Sequence, residues 1–260
     1  MPCILGIIAP HPPLLHETIG KESREKLTDT LMALAQVEQD LYASSPDTII
    51  VLSPHGADAT RENSLSINLN SHYLTDFSEF GDFSEPKKFR SDVEIIHRVQ
   101  HMGVPISTIS DAKIGYSISL PLLHLTSKIK NVRIVPIYTS QGSYQEHYQF
   151  GQHLAHIVHE TSKRVAVIAS GDFSHKLTKE APGGFSKNAL KFDKKILQFL
   201  RTHQHEELSK FDPKIANDAG ECGLRPILVL LGLFHDVNYR IDILSYEYPF
   251  GVGYAVAELK

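Results

Sequence analysis

Two histidines sit just beyond apolar runs, His11 in Ala9-Pro10-His11-Pro12-Pro13 and His55 in Ser53-Pro54-His55-Gly56. An imidazole at such a place can bind a metal or carry a proton, and the adjoining prolines stiffen the turn that aims it. A third run of the same kind ends in Ser170-Gly171-Asp172-Phe173-Ser174-His175. Here His175 reads as a general acid/base, because an imidazole pKa of about 6.5 suits proton transfer at neutral pH. Asp172 is the residue expected to orient it. The stretch Ala219-Gly220-Glu221-Cys222-Gly223-Leu224-Arg225-Pro226 adds a carboxylate and a thiol. Two histidines with Glu221 make a two-histidine-one-carboxylate set, which suits ferrous iron and leaves positions open for substrate and oxygen. Cys222 is the alternative third ligand, and a thiolate would move the preference toward zinc or copper. Glu247 is a reserve carboxylate. Each residue also has a plainer role, as a turn cap, a helix cap or a buried thiol. Three strand ends of one type weigh toward a shared site.

The elements that must carry these residues follow from hydrophobic patterning. Unbroken apolar runs at 3–9, 48–52, 131–138 and 164–169 read as strands buried on both faces, as in a parallel sheet. Ligands of such sheets gather beyond the carboxyl ends of the strands. Apolar residues at helical spacing predict helices over 22–42, 91–102, 120–129, 144–162, 186–200, 206–211 and 221–234, with Pro121 in a first turn. Short strands are expected at 64–69 and 104–109, and two more within 239–259, broken by a turn at 248–251. The segment 71–88 has no clear period and is expected to be a surface loop or lid, with Phe77, Phe80 and Phe83 available to pack inward. Strands and helices alternate, so the expected fold is a three-layer α/β/α domain with a mostly parallel central sheet, spanning 1–260 without repeat or linker.

Composition narrows the function. A hydrophobic share of 42% and a charged share of 22% describe a globular chain, and a net charge of −4 argues against a nucleic-acid partner. Cys3 and Cys222 are too few for a disulfide framework, which points to a reducing cytoplasm. No apolar run approaches the ~20 residues of a membrane helix, and the start of the chain, broken by prolines, reads as a first strand and not as a signal peptide. Of the fifteen histidines, His97, His101, His153, His156, His159, His203 and His205 lie on polar, helix-like segments and are expected at the surface.

Taken together, Ala-Pro-His11-Pro-Pro, Ser-Pro-His55-Gly, Ser-Gly-Asp172-Phe-Ser-His175-Lys-Leu, Gly-Glu221-Cys-Gly-Leu-Arg-Pro-Ile and Ser245-Tyr-Glu-Tyr-Pro-Phe-Gly-Val-Gly-Tyr254 resemble the class III extradiol ring-cleaving dioxygenases, the subunit-B-like superfamily. The likeness covers nearly the whole chain, and the branch it is most similar to holds the AmmeMemoRadiSam and Memo-like proteins. The resemblance implies a non-haem Fe(II) oxidoreductase of aromatic compound metabolism, with His11, His55 and Glu221 as ligands and His175 as acid/base. Its implied partners are a catechol-like small aromatic substrate and dioxygen, with no membrane, and a homo-oligomer is in keeping with the superfamily. Where dioxygenase members carry Asp-His-Gly before a Pro-Leu helix, this chain reads Gly115-Tyr116-Ser117 before Pro121-Leu122. Tyr116 can hydrogen-bond, but a phenol with a pKa of about 10 is a poor proton carrier at neutral pH, and His124 lies farther along. Cys222 matches the cysteine that Memo-type relatives present at their metal site. Two rivals stand beside ring cleavage: a Memo-like metal-binding module, and a zinc-dependent hydrolase or lyase in which His175 activates water.

Overall fold

In the computed structural model, residues 3–56 and 64–260 are described. The apolar run β1 (Cys3–Ala9) leads through a 3-10 turn (Pro13–Leu15) and the short helix α1 (Glu17–Gly20) into α2 (Thr28–Ser44) and β2 (Thr48–Ser53). Short elements follow: β3 (Ser66–Asn68), β4 (His72–Thr75), β5 (Lys88–Ser91), α3 (Val93–Gln100), β6 (Ser107–Ile109) and β7 (Lys113–Ile114). The alternation then becomes regular with α4 (Tyr116–Leu125), β8 (Arg133–Tyr138), α5 (Tyr144–Glu160) and β9 (Val165–Ser170). Helices α6 (Ala189–Arg201), α7 (His205–Ser209), α8 (Pro213–Ala219) and α9 (Leu224–Leu233) precede the closing pair β10 (Ile241–Glu247) and β11 (Tyr254–Leu259).

Among the described residues these strands form one mixed, mostly parallel sheet in the order β10-β11-β1-β9-β2-β8-β5-β4-β7, with β3 branching from β8 and β6 from β3. Its centre, β1-β9-β2-β8, is parallel throughout. Antiparallel pairs close one edge (β1-β11-β10) and join β4 to β5 and β3 to β8. Alternate residues of each central strand serve opposite faces, as strand pleating requires. Ile8, Ile50 and Val167 enter the core beneath α5 and α9. Ile7, Ile49 and Ile168 enter the core beneath α2 and α4. The three-layer α/β/α arrangement follows, and its two cores fasten the strands whose carboxyl ends share one edge. Helices α5 and α9 cross so closely that a Cβ on Gly151 would lie 2.1 Å from the Val229 carbonyl oxygen.

Several local expectations are corrected. The segment 71–88 is no simple loop, since it holds β4, a 3-10 turn (Ser78–Phe80) and the start of β5. These strands bury only alternate residues over three or four positions, too few to show a period. Phe77 packs inward, whereas Phe83 is 82% exposed. Helix α4 starts at Tyr116, so Pro121 is interior and not in a first turn. The first long helix is split, a 3-10 stretch (Lys21–Leu27) preceding α2. Helix α8 was not expected, and His205 is buried, its ring bonded to the Tyr239 hydroxyl at 2.8 Å. Among the described residues no helix is long and apolar enough to cross a membrane.

Candidate metal centre and its pocket

The carboxyl ends of β1, β2 and β9 lie side by side because the strands pair in parallel register, Ala9 opposite Ser170 and Leu52 opposite Ala169. The two residues past each end therefore reach one spot. His11 follows β1, His55 follows β2 and Asp172 follows β9. The loop before α9 brings Cys222 to the same place. One donor atom each from His11, His55 and Cys222 lies within 4.8 Å of the others. The His11 and His55 rings stand edge to face with centroids 5.2 Å apart, and Cys222 Sγ is 3.6 Å from His11 Nε2.

Helix α4 sets the His11 ring. Pro121 has no N–H, so the Ser117 carbonyl one turn earlier lacks its usual helical donor. The Ser170 hydroxyl donates to that carbonyl instead. Having spent its single proton, Ser170 Oγ accepts from His11 Nδ1–H at 2.8 Å. This fixes the tautomer with the lone pair on Nε2, the nitrogen beside Cys222. Ser117 serves the second histidine too: its hydroxyl meets Ser53 Oγ at 2.8 Å and donates to the His55 carbonyl at 3.2 Å.

A close backbone contact sets Cys222. Cys222 N–H and Gly223 N–H donate to the Asp172 carbonyl at 3.2 and 2.9 Å, and Asp172 N–H donates to Cys222 Sγ at 3.2 Å. Two glycines permit this approach, for a Cβ on Gly171 would lie 2.3 Å from Gly223 Cα. Glu221 is turned to other work. Its carboxylate accepts from Leu224 N–H at 2.7 Å, capping α9, and it stands outside the cluster of three donors. Glu247 likewise accepts from Thr30 N–H at 2.7 Å, near the start of α2.

The remaining site residues line the same space. The Asp172 carboxylate accepts the His11 backbone N–H at 2.9 Å and lies 3.8 Å from His175 Nε2, beyond hydrogen-bond reach. His175 is held by its backbone, donating to the Ala219 carbonyl at 3.0 Å, while its Nδ1 is buried without a partner among the described residues. The turn between β10 and β11 pins this loop through Phe173 N–H to the Gly253 carbonyl and Gly253 N–H to the Ser174 carbonyl, each 2.8 Å. Buried Asp193 accepts from Ser174 N–H at 3.0 Å and from the Tyr246 hydroxyl at 2.5 Å. Tyr116 meets His11 edge-on at 5.5 Å and lies over His55 at 6.0 Å. His124 lies apart, its Nε2 3.2 Å from the Leu15 carbonyl.

Burial dominates the electrostatics. It lowers the His11 pKa well below the usual imidazole range, with help from neighbouring His55 and His175, and lowers those of His55 and His175 as well. It pushes the Asp172 carboxyl up to about 7, the Tyr116 phenol up to about 12 and the Cys222 thiol upward. Neutral imidazoles beside a thiol form a donor set that a divalent cation would complete, displacing the thiol proton. His11 and His55 line a pocket of about 800 Å³, whose wall also includes Tyr116, His175 and Tyr254. Ser117, Ser170 and Asp193 went unrecognised in the sequence, because an isolated serine or aspartate carries no spacing signal.

The family model for the catalytic LigB subunit of aromatic ring-opening dioxygenase matches residues 5–257. Protein CA_C1420 of Clostridium acetobutylicum is 28% identical over 266 residues, covering 97% of this chain and 56% of that protein. The MEMO1 family protein MMP1387 of Methanococcus maripaludis is 26% identical over 154 residues, 55% of this chain and 51% of its own length. The chain thus spans about half the length of these curated relatives. The crystal structure of the uncharacterized protein JW3007 from Escherichia coli K12 superposes with a TM-score of 0.70 at 14% identity, over 99% of this chain and 100% of that one. That last likeness is one of fold.

Proposed function

Since the chain belongs to the LigB family of aromatic ring-opening dioxygenase catalytic subunits, we propose that it is a ferrous-iron-dependent oxidoreductase acting with dioxygen on a catechol-type substrate. The observation that carries this reading is the convergence of His11, His55 and Cys222 donor atoms within 4.8 Å, the two histidines lining the pocket. These three residues would hold the metal, with Glu221 fastening the turn that presents Cys222. When bound, ferrous iron supplies the redox and Lewis-acid chemistry of the reaction.

The chain's own groups divide the remaining work. His175 takes a substrate hydroxyl proton at Nε2 and returns one as the ring opens. The Tyr116 phenol keeps its proton at neutral pH, so it donates a hydrogen bond to substrate and positions it. Asp172 holds the His11 backbone through its carboxylate and the Cys222 loop through its carbonyl. The apolar upper wall, with Leu14, Phe250 and Val252, excludes water from the reacting ring. Both cysteines are free, which suits work in the cytoplasm.

Cys222 also favours a second reading. A thiolate beside two imidazoles selects softer ions, so a Memo-like protein holding copper or zinc without ring cleavage fits the same donors. One experiment separates the two. The purified protein is assayed for metal content, then loaded anaerobically with ferrous iron, mixed with a catechol panel and exposed to oxygen. A yellow ring-opened product that disappears in His11→Ala and His55→Ala supports the first reading. Stoichiometric copper or zinc, with no product from any catechol, replaces it with the second.

A further inference from the structure

The pocket is larger than the chemistry at its base requires. Its volume of about 800 Å³ falls in the upper part of the ~300–1,000 Å³ range of sites that enclose drug-sized ligands. A lone catechol ring would leave most of it to water. The wall is also divided in character. His11, His55, Tyr116, Asp172 and His175 belong to the metal centre and are polar. Beyond them, the turn after β1 contributes Pro12, Pro13 and Leu14, helix α1 contributes Ile19, and the turn between β10 and β11 contributes Phe250 and Val252. Outside the centre itself, the acidic residue among the described lining residues is Glu180, which is exposed. Lys26 lies over the Phe250 ring, 5.7 Å from its centroid, and is not among the described lining residues.

On the reading that the centre binds a catechol-type ring, we propose that the substrate carries a large apolar body on that ring, such as a second aromatic ring or a branched alkyl group, and no anionic substituent. An apolar body gains free energy in proportion to the area it removes from water against these prolines, leucine, isoleucine and phenylalanine. A carboxylate in the same place would leave water for an apolar wall and meet the Glu180 carboxylate, so it is disfavoured twice. The outer wall thereby selects among rings that the metal alone would accept equally.

Anaerobic titration calorimetry on the full, iron-loaded chain tests this with catechol, 4-phenylcatechol and 3,4-dihydroxybenzoate. The phenyl compound is expected to bind at least about thirtyfold tighter than catechol, and the benzoate weaker than either. Phe250→Ala should cut the phenyl-to-catechol ratio by about fivefold. Glu180→Lys, at an exposed position, should bring the benzoate closer to catechol with metal content unchanged. Equal affinities for all three, or tightest binding of the benzoate, overturns the inference while leaving the metal centre's chemistry standing. Stoichiometric iron with no binding of any catechol overturns both.

Discussion

Asp172 and Cys222 grip one another through the backbone: the Asp172 amide donates to Sγ while its carbonyl accepts the Cys222 amide, each at 3.2 Å. The sulfur is thus aimed beside His11 Nε2, while the neighbouring Glu221 carboxylate is occupied at Leu224 N–H. Cys222→Ala is expected to abolish stoichiometric metal uptake. Glu221→Ala should retain it and instead lose about 1 kcal/mol of stability, the usual cost of a lost helix cap. Metal analysis and denaturant unfolding of the two variants check this pair, and loss of metal in Glu221→Ala alone would reverse the ligand assignment.

Gly171→Ala should damage stability and metal binding together. Its Cβ would meet Gly223 Cα at 2.3 Å, with backbone on both sides of the contact. Relief requires the β9 loop and the Cys222 loop to part. A loss of about 1–3 kcal/mol is expected, with weaker metal binding in the fraction that folds, read by urea denaturation and competition with a chelator.

Stability should fall on mild acidification. His147 is fully buried, accepts Ser140 N–H at Nε2 and faces the Ser143 carbonyl with Nδ1. Burial lowers its pKa to about 4. The unfolded chain takes up this proton near pH 6.5, whereas the folded chain refuses it until about pH 4. Between those values the unfolded state binds more protons, so stability drops as pH falls through the window, by roughly 3 kcal/mol. His147→Gln should be less stable than wild type at pH 7 and lose most of that deficit by pH 4, as followed by chemical denaturation. A deficit that does not change with pH would refute the assignment.

Ser170 and Pro121 should tune metal affinity without supplying a ligand. Ser170→Ala removes the acceptor for His11 Nδ1–H and is expected to weaken metal binding by about 10–100-fold, the usual effect of losing such a partner. Pro121→Ala restores an amide that competes for the Ser117 carbonyl, which frees the Ser170 proton and loosens the tautomer. This variant should be at least as stable as wild type yet bind metal more weakly. Calorimetric metal titration beside thermal unfolding separates the two effects.

The central strands were legible because residues buried on both faces leave unbroken apolar runs, and strand-end histidines stand out against them. The residues expected beyond those strand ends, His11, His55, Asp172 and His175, accordingly lie along one wall of a single pocket. The choice between Glu221 and Cys222 was hidden, since adjacent residues differ only in which way the loop turns. Pro121 was misplaced because a proline ordinarily marks a helix start, and here its missing amide is used by a hydroxyl from another element. The strands around 66–91 were too short for any period to appear. His147 and His205 look polar in sequence, and only tertiary packing buries them.

The bond from Ser170 to the Ser117 carbonyl also implies an order of assembly. Its two halves belong to β9 and α4, with Ser117 and Ser170 53 residues apart in the sequence, so no local segment can form it. Until α4 docks on the sheet, the His11 proton is unassigned between its two nitrogens. In refolding from denaturant, far-ultraviolet circular dichroism should therefore recover before metal competence does, and the lag between them reports the docking of α4.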